Sequence, residues 1–278
     1  MRKDTKASID EKISKMTDDN YYVWYQLFHN AGATNRSEIA KYYVDEIAKK
    51  FGKPDKLQDV FEKIYRGEGL KLNADTDFRK KDEFKIELRG KNCNEETVSK
   101  ETYIQRNLFV KSSHYEKELG HIFGYEVTFV RANRLAPVDL VSFDFNNGKL
   151  TLHLIELKAC KVETINTPAK DLLLRAMFEV ATYKAYFEKV LTYNDELACA
   201  LKKSIKKVVP DVEISIEDIK NATIHLIVLA PDYIINEKDE EFMKAFLKPE
   251  IRLLTISAAR EFDKTTTVGR EEKLFNIV

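Results

Sequence analysis

PVDLVSFDFNNGKLTLHLIELK, residues 137–158, decides how the rest of the chain is read. Val138–Phe145 and Lys149–Leu157 are apolar and rich in β-branched and aromatic residues, the composition of sheet strands. Asn146-Asn147-Gly148 lies between them. Asn-Gly suits a two-residue type I′ hairpin turn, because both central positions need positive φ. Asn146 then pairs with Lys149, and counting back along both strands sets Asp139 opposite Glu156. Side chains alternate with period two. One face of the hairpin therefore reads Pro137, Asp139, Val141, Phe143, Phe145 on one strand and Leu150, Leu152, Leu154, Glu156, Lys158 on the other. That face is apolar near the turn and charged at the open end. A three-residue loop would stagger the pair while leaving the two carboxylates close.

Directly opposed residues on an antiparallel pair have Cβ atoms roughly 4.5–5.5 Å apart. Two carboxylates at that spacing repel, so something must compensate. A divalent cation would, since Mg²⁺ is held by one or two carboxylates together with waters and substrate phosphate oxygens. Lys158, two residues beyond Glu156 on the same face, suits a group that positions or polarises water or stabilises developing phosphate charge.

Pro137-Val138-Asp139 followed by Glu156-Leu157-Lys158 resembles the signature of the PD-(D/E)xK nuclease superfamily. The likeness covers about half the chain and rests on a short motif placed on a hairpin. It implies an α/β fold with a mixed central β-sheet flanked by helices, the restriction-endonuclease-like core in the order helix, three strands, helix, strand, with the motif on the second and third strands. It implies a metal-dependent nuclease that hydrolyses phosphodiester bonds in nucleic acid, DNA foremost, by endo- or exonucleolytic cleavage. Asp139, Glu156 and the backbone carbonyl of Leu157 would hold Mg²⁺, with Mn²⁺ as a substitute, and Lys158 would position water. Family members often carry a further glutamate on the first helix. Glu116 and Glu118 compete for that place, with Glu116 preferred. In "FEVATY" the helix after the motif resembles a Gln-or-Glu…Tyr pattern of some nuclease branches, which adds Glu179 and Tyr183 as auxiliary residues. Such nucleases often dimerise, which makes a homodimer an expectation.

The flanking pattern follows that order. Tyr115, Leu119, Ile122 and Phe123 form an apolar stripe at helical spacing, so a first helix is expected over Ser112–Phe123, stopped by Gly124. A first strand follows over Tyr125–Arg131. Thr167-Pro168 opens the next helix, with Thr as N-cap and Pro at the first helical position. It runs to about Leu191 and places Arg175, Glu179 and Tyr183 on one face at i, i+4, i+8. An Arg175–Glu179 salt bridge beside a core tyrosine is the plainer interpretation of that spacing. A helix over Glu196–Val208, a buried strand over Ala222–Ala230, a helix over Lys238–Leu247 and a strand over Ile251–Ser257 complete the order.

Residues 1–100 read as a mainly helical extension, and residues 101–278 as the nuclease-like domain. "DDNYYVWYQLFHNAG", Ser37–Phe51 and Leu57–Tyr65 have helical character, and Phe84–Leu88 suits a strand. No basic recognition face marks the extension as a helix-turn-helix. Across all 278 residues, 46 basic side chains balance 46 acidic ones, so any nucleic-acid contact must come from a local patch. Lys202, Lys203, Lys206 and Lys207 form one basic run, best read as a solvated helix face. No apolar run of about 18 residues suggests a membrane span. The N-terminal MRKDTKASIDEKISK has no signal region. The three cysteines, Cys93, Cys160 and Cys199, show neither disulfide nor zinc spacing. Together these set the expectation of a cytoplasmic protein with no membrane partner. His153 falls on the opposite face of the hairpin as a packing residue, and His114 and Cys160 read as ordinary structural side chains. Two further readings stand beside the nuclease: a catalytically inactive nuclease-fold module that binds nucleic acid or a protein, and an unrelated α/β protein whose carboxylate pair shares a proton.

Overall fold

The strands of residues 138–146 and 149–157 pair in the register that the turn demands. Asn146 faces Lys149, Phe145 faces Leu150, and Leu140 faces Ile155. Gly148 has φ of +76°, the left-handed region an Asn-Gly turn needs. The computed structural model describes residues 5–17, 42, 46, 49–50, 54–72, 100–111, 118–129, 137–146, 148–159, 169–231, 244, 246, 248–256 and 275–277. In chain order the elements are α1 (Lys6–Ser14), α2 (Pro54–Tyr65), α3 (Lys100–Lys111), β1 (His121–Val127), β2 (Val138–Asn146), β3 (Lys149–Leu157), α4 (Ala169–Tyr193), α5 (Asp195–Val208), α6 (Ile216–Lys220), β4 (Thr223–Pro231), β5 (Ile251–Ile256) and β6 (Phe275–Ile277).

The result is an α/β protein with a mixed open sheet in the order β1-β2-β3-β4-β5, and the short β6 beside β5. β1, β2 and β3 form an antiparallel meander. β4 runs parallel to β3, and β5 parallel to β4. A parallel step needs a crossover, and α4, α5 and α6 supply the one between β3 and β4. The middle strands are buried on both faces, which is why "ATIHLIVLA" is almost continuously apolar.

Period two divides those strands between two cores. Val141, Phe143, Leu152, Leu154, Val228 and Leu253 pack with Met177, Phe178 and Val180 of α4. Ile9 and Ile13 of α1 and Phe61 and Ile64 of α2 belong to the same core. Phe61 meets Phe178 edge-on with ring centroids 5.5 Å apart. Truncating an aromatic at such a junction costs about 3–5 kcal/mol, so α2 is part of what holds α4 against the sheet. On the opposite face Leu140, Ile155, Leu157, Ile227, Leu229 and Leu254 pack with Ile104, Leu108 and Phe109 of α3.

The expected first helix over Ser112–Phe123 is corrected. His121–Val127 is a strand, and Gly124 lies inside it. Leu119 and Ile122 enter the core on the α3 side, whereas Phe123 enters the core on the α4 side. Ile122, Phe123 and Gly124 are buried in succession, so the two faces of the strand together mimic a helical stripe. Gly124 marks an irregularity in the β1–β2 register rather than a helix end, and a Cβ there would meet Val127 Cγ2 at 2.7 Å. The helix preceding the meander is α3, one segment earlier. Other expected elements are present within a few residues of their expected bounds: α4, α5, β4 and β5. α2 begins at Pro54, whose fixed φ suits the first helical position. The aromatic stretch at 18–32, most of 37–51, Phe84–Leu88 and most of 238–247 lie outside the described residues. Among the described residues no helix is long and apolar enough to cross a membrane.

Candidate active site

At the open end of the hairpin the ladder stops at Leu140–Ile155, and β2 and β3 part. Asp139 sits in this fork. Its Oδ2 accepts the Leu157 backbone N–H at 2.8 Å, so the side chain bridges the gap where the next rung would be. From α3, the Gln105 amide donates to the Asp139 carbonyl at 2.7 Å and weakly to Oδ1 at 3.4 Å. Burial, with the charge of Glu101 added, pushes the Asp139 carboxyl up to about 7 against the pull of Lys158 and the Leu157 amide.

Glu156 is 4% exposed and ion-paired to Lys158. Its Oε2 is buried without a hydrogen-bond partner. Burial and the neighbouring Asp139 charge hold its carboxyl well above the usual range. Lys158 is 8% exposed and also reaches Glu179 Oε2 at 2.8 Å. Burial alone would lower it, but the charges of Glu156, Glu179 and Glu101 keep it a firmly protonated ammonium.

α4 supplies the opposite wall. The helix presents Arg175, Glu179 and Tyr183 one turn apart, and the sheet-facing stripe buries Glu179 and Tyr183. Arg175 Nε donates to Glu179 Oε1 at 3.1 Å. Burial opposes the charged form of Glu179, but Arg175 and Lys158 outweigh it and set its carboxyl at about 2. The Tyr183 hydroxyl donates to the Pro137 carbonyl at 3.4 Å. Burial and the facing charges of Glu156, Glu179 and Asp139 raise it well above its ordinary value.

Asp139, Glu156, Lys158, Glu179 and Tyr183 thus converge as expected from period two on the strands and i, i+4 on the helix. The Arg175–Glu179 bridge is present too and forms part of the cluster. Glu116 lies outside the described residues, as do His114 and Cys160. Glu118 does not join the cluster; it pairs with Arg252 at 3.5 Å. Sequence reasoning missed Glu101 and Gln105, both on α3. Glu101 Oε2 accepts the Ala159 N–H at 3.4 Å, and its charge acts on both Asp139 and Lys158. The signal was present in KETYIQRNLFVK: Ile104 and Leu108 mark a buried stripe, and Glu101 and Gln105 stand one turn apart beside it.

Four carboxylates, Asp139, Glu156, Glu179 and Glu101, therefore surround two cations, Lys158 and Arg175. Among the described residues no three His, Cys, Asp or Glu side chains form a ready ligand set. The available pair is Asp139 and Glu156, with Glu156 Oε2 unengaged. Two carboxylates suit Mg²⁺, which keeps most of its waters and takes the rest of its shell from substrate. Lys203, Lys206 and Lys207 lie on the exposed side of α5. Comparisons of the chain with protein-family models, with curated proteins and with solved structures gave no match.

Proposed function

We propose that the hairpin fork is the hydrolytic centre of a metal-dependent nuclease that cleaves phosphodiester bonds, with DNA as its substrate. The observation that carries this reading is the charge imbalance at the fork. Carboxylates outnumber cations in the cluster, and Glu156 Oε2 is buried without a hydrogen-bond partner, as is Glu179 Oε2 apart from its ion pair with Lys158. A buried carboxylate oxygen without a partner is costly, and a divalent cation would remove that cost. The sequence of elements, α3, three antiparallel strands, α4 and the parallel β4, supports the restriction-endonuclease-like arrangement that the Asp139…Glu156-Leu157-Lys158 motif suggests.

Asp139 and Glu156 would hold the cation, with the Leu157 carbonyl at the same point of the fork. A bound Mg²⁺ or Mn²⁺ supplies a positive charge that polarises a phosphoryl oxygen and acidifies water. Lys158 acts as an ammonium. Paired with Glu156 and Glu179, it serves as a hydrogen-bond donor to the attacking water or to the charge developing on phosphate, rather than as a general base. Glu179 fixes Lys158, Gln105 and the Leu157 amide fix Asp139, and Tyr183 closes the α4 side against Pro137. The test is a screen of single- and double-stranded DNA and RNA with Mg²⁺ or Mn²⁺, using Lys158→Ala as control. Cleavage by the wild type that Lys158→Ala lacks supports the reading. Cleavage at the wild-type rate by Lys158→Ala removes Lys158 from the chemistry.

The ion pairs that already engage Lys158 and Arg175 favour a second reading, a nuclease-fold module that binds nucleic acid or protein without cutting. Binding of DNA that is indifferent to divalent cations, with no cleavage, selects it.

A further inference from the structure

Arg175 has donors that the cluster does not use. Its Nε is spent on Glu179 Oε1 at 3.1 Å. Among the described residues Glu179 is the hydrogen-bond partner found for this guanidinium, which carries five N–H donors in a planar fork. The side chain is 15% exposed. The side chain is largely buried, yet no Arg175 nitrogen is among the buried polar atoms that lack a partner, so the two terminal nitrogens are not sealed unpartnered in the core. The charge of Glu156 also acts on Arg175.

Neutralising Glu179 explains only part of this arrangement. Glu179 already has Lys158 on its other oxygen at 2.8 Å. A guanidinium held through Nε presents its remaining edge in a fixed direction, which suits bidentate capture of a tetrahedral oxyanion. We infer that Arg175 is the clamp for a substrate phosphate, its orientation set by Glu179 and its terminal nitrogens directed to two phosphate oxygens. This rests on the hydrolytic reading above and names the part of the substrate that α4 grips. The site's excess of carboxylates repels an anion until a divalent cation is present. Phosphate capture by Arg175 is therefore coupled to metal occupancy, and α4 and the hairpin hold opposite sides of one phosphodiester.

The experiment is calorimetric titration of inorganic phosphate into the full chain, with and without saturating Mg²⁺, for wild type, Arg175→Lys and Arg175→Gln. Mg²⁺ affinity and melting temperature are measured on each. A lysine retains the charge and the pairing with Glu179 but loses the fork. The expected result is metal-enhanced phosphate binding by the wild type, weakened roughly tenfold or more in Arg175→Lys at unchanged Mg²⁺ affinity and melting temperature, and lost in Arg175→Gln. Wild-type phosphate affinity in Arg175→Lys and Arg175→Gln overturns the clamp, as does absence of phosphate binding by the wild type in both conditions. Should Arg175→Gln not fold, Arg175→Lys decides. Phosphate binding that needs Arg175 in a protein that binds no Mg²⁺ sustains the anion site while the hydrolytic reading fails.

Discussion

The β2–β3 hairpin buries polar groups in two places and satisfies them differently. On the α3 side, toward the turn, His153 is 2% exposed. Its Nδ1 lies 3.0 Å from the Leu119 carbonyl, its ring stacks on His225 with centroids 5.7 Å apart, and burial pushes it down to about 4. Ser142 donates to the same carbonyl. That cluster is hydrogen-bonded, with the Asp144 carboxylate 4.0 Å from His153 Nε2. At the open end Glu156 is as deeply enclosed and Asp139 is half-buried, yet burial raises both carboxyls, and Glu156 Oε2 has no hydrogen-bond partner. Burial of polar groups is common to both places. Uncompensated charge belongs to one, and uncompensated charge is what a ligand can resolve.

The largest expected effects break this contrast at Lys158. Lys158→Met should lower kcat roughly 10²–10⁴-fold, the range for a positioned acid–base or electrostatic group, measured under single turnover. It should also cost about 3–5 kcal/mol of stability, because Glu156 and Glu179 lose a buried cation; urea denaturation reads this. His153→Leu is the counterpart. It should cost about 1–3 kcal/mol, through the lost bond to Leu119, and leave the cleavage rate unchanged.

Next, Asp139→Asn should stabilise the metal-free protein by roughly 2 kcal/mol at pH 8 while removing Mn²⁺ binding. The sign follows from the raised carboxyl. Above about 7 it is charged in the folded chain, where burial penalises that charge. A melting curve that shows loss of stability instead would mean that the Asp139 carboxylate is compensated by its protein neighbours alone.

The pH profile sharpens the comparison. Between pH 7 and the unfolded value near 3.9, the folded chain holds a proton on Asp139 that the unfolded chain releases, so acidification adds stability. His153 acts oppositely. From about 6.5 down to about 4 the unfolded chain takes a proton that the buried ring refuses, so stability is lost as pH falls. Metal-free protein should therefore gain stability from pH 8 to about 6.5 and gain less below it. In His153→Gln the gain should continue further toward pH 5, offset only by His121 and His225, which burial also lowers. Identical profiles for the two proteins would place His153 outside the balance.

The smallest effect is expected at the far end of the hairpin. Gly148→Ala places a Cβ in open space at φ +76°, so it should cost about 1 kcal/mol for conformation alone. Metal affinity should not change, because the fork is defined by the other end of the strands.

Much of this contrast was legible before the fold. The turn Asn147-Gly148 and period two set the register, and with it Asp139 beside Glu156. A 25-residue helix with Arg175, Glu179 and Tyr183 at i, i+4, i+8 needed only the 3.6 period. The α3 contribution was hidden for a physical reason. Ile122 and Phe123 face opposite sides of β1, and with Leu119 just before the strand they outshone the weaker stripe of Ile104 and Leu108. That moved the expected first helix one segment downstream of α3, the helix that carries Glu101. The position of Gln105 beside that stripe was legible, but its task, holding a carbonyl and a carboxylate at a strand fork, was not, because it depends on where β2 and β3 part, which no periodicity encodes.

Everything above turns on whether the charged fork is a divalent-cation site. Calorimetric titration of Mn²⁺ into the wild type and into Asp139→Ala/Glu156→Ala at pH 7 tests it without any choice of substrate. Binding by the wild type is expected, accompanied by proton release and strengthening as pH rises, and none by the double variant. A folded wild type that shows no binding at millimolar Mn²⁺, or a double variant that binds as well as the wild type, would contradict it.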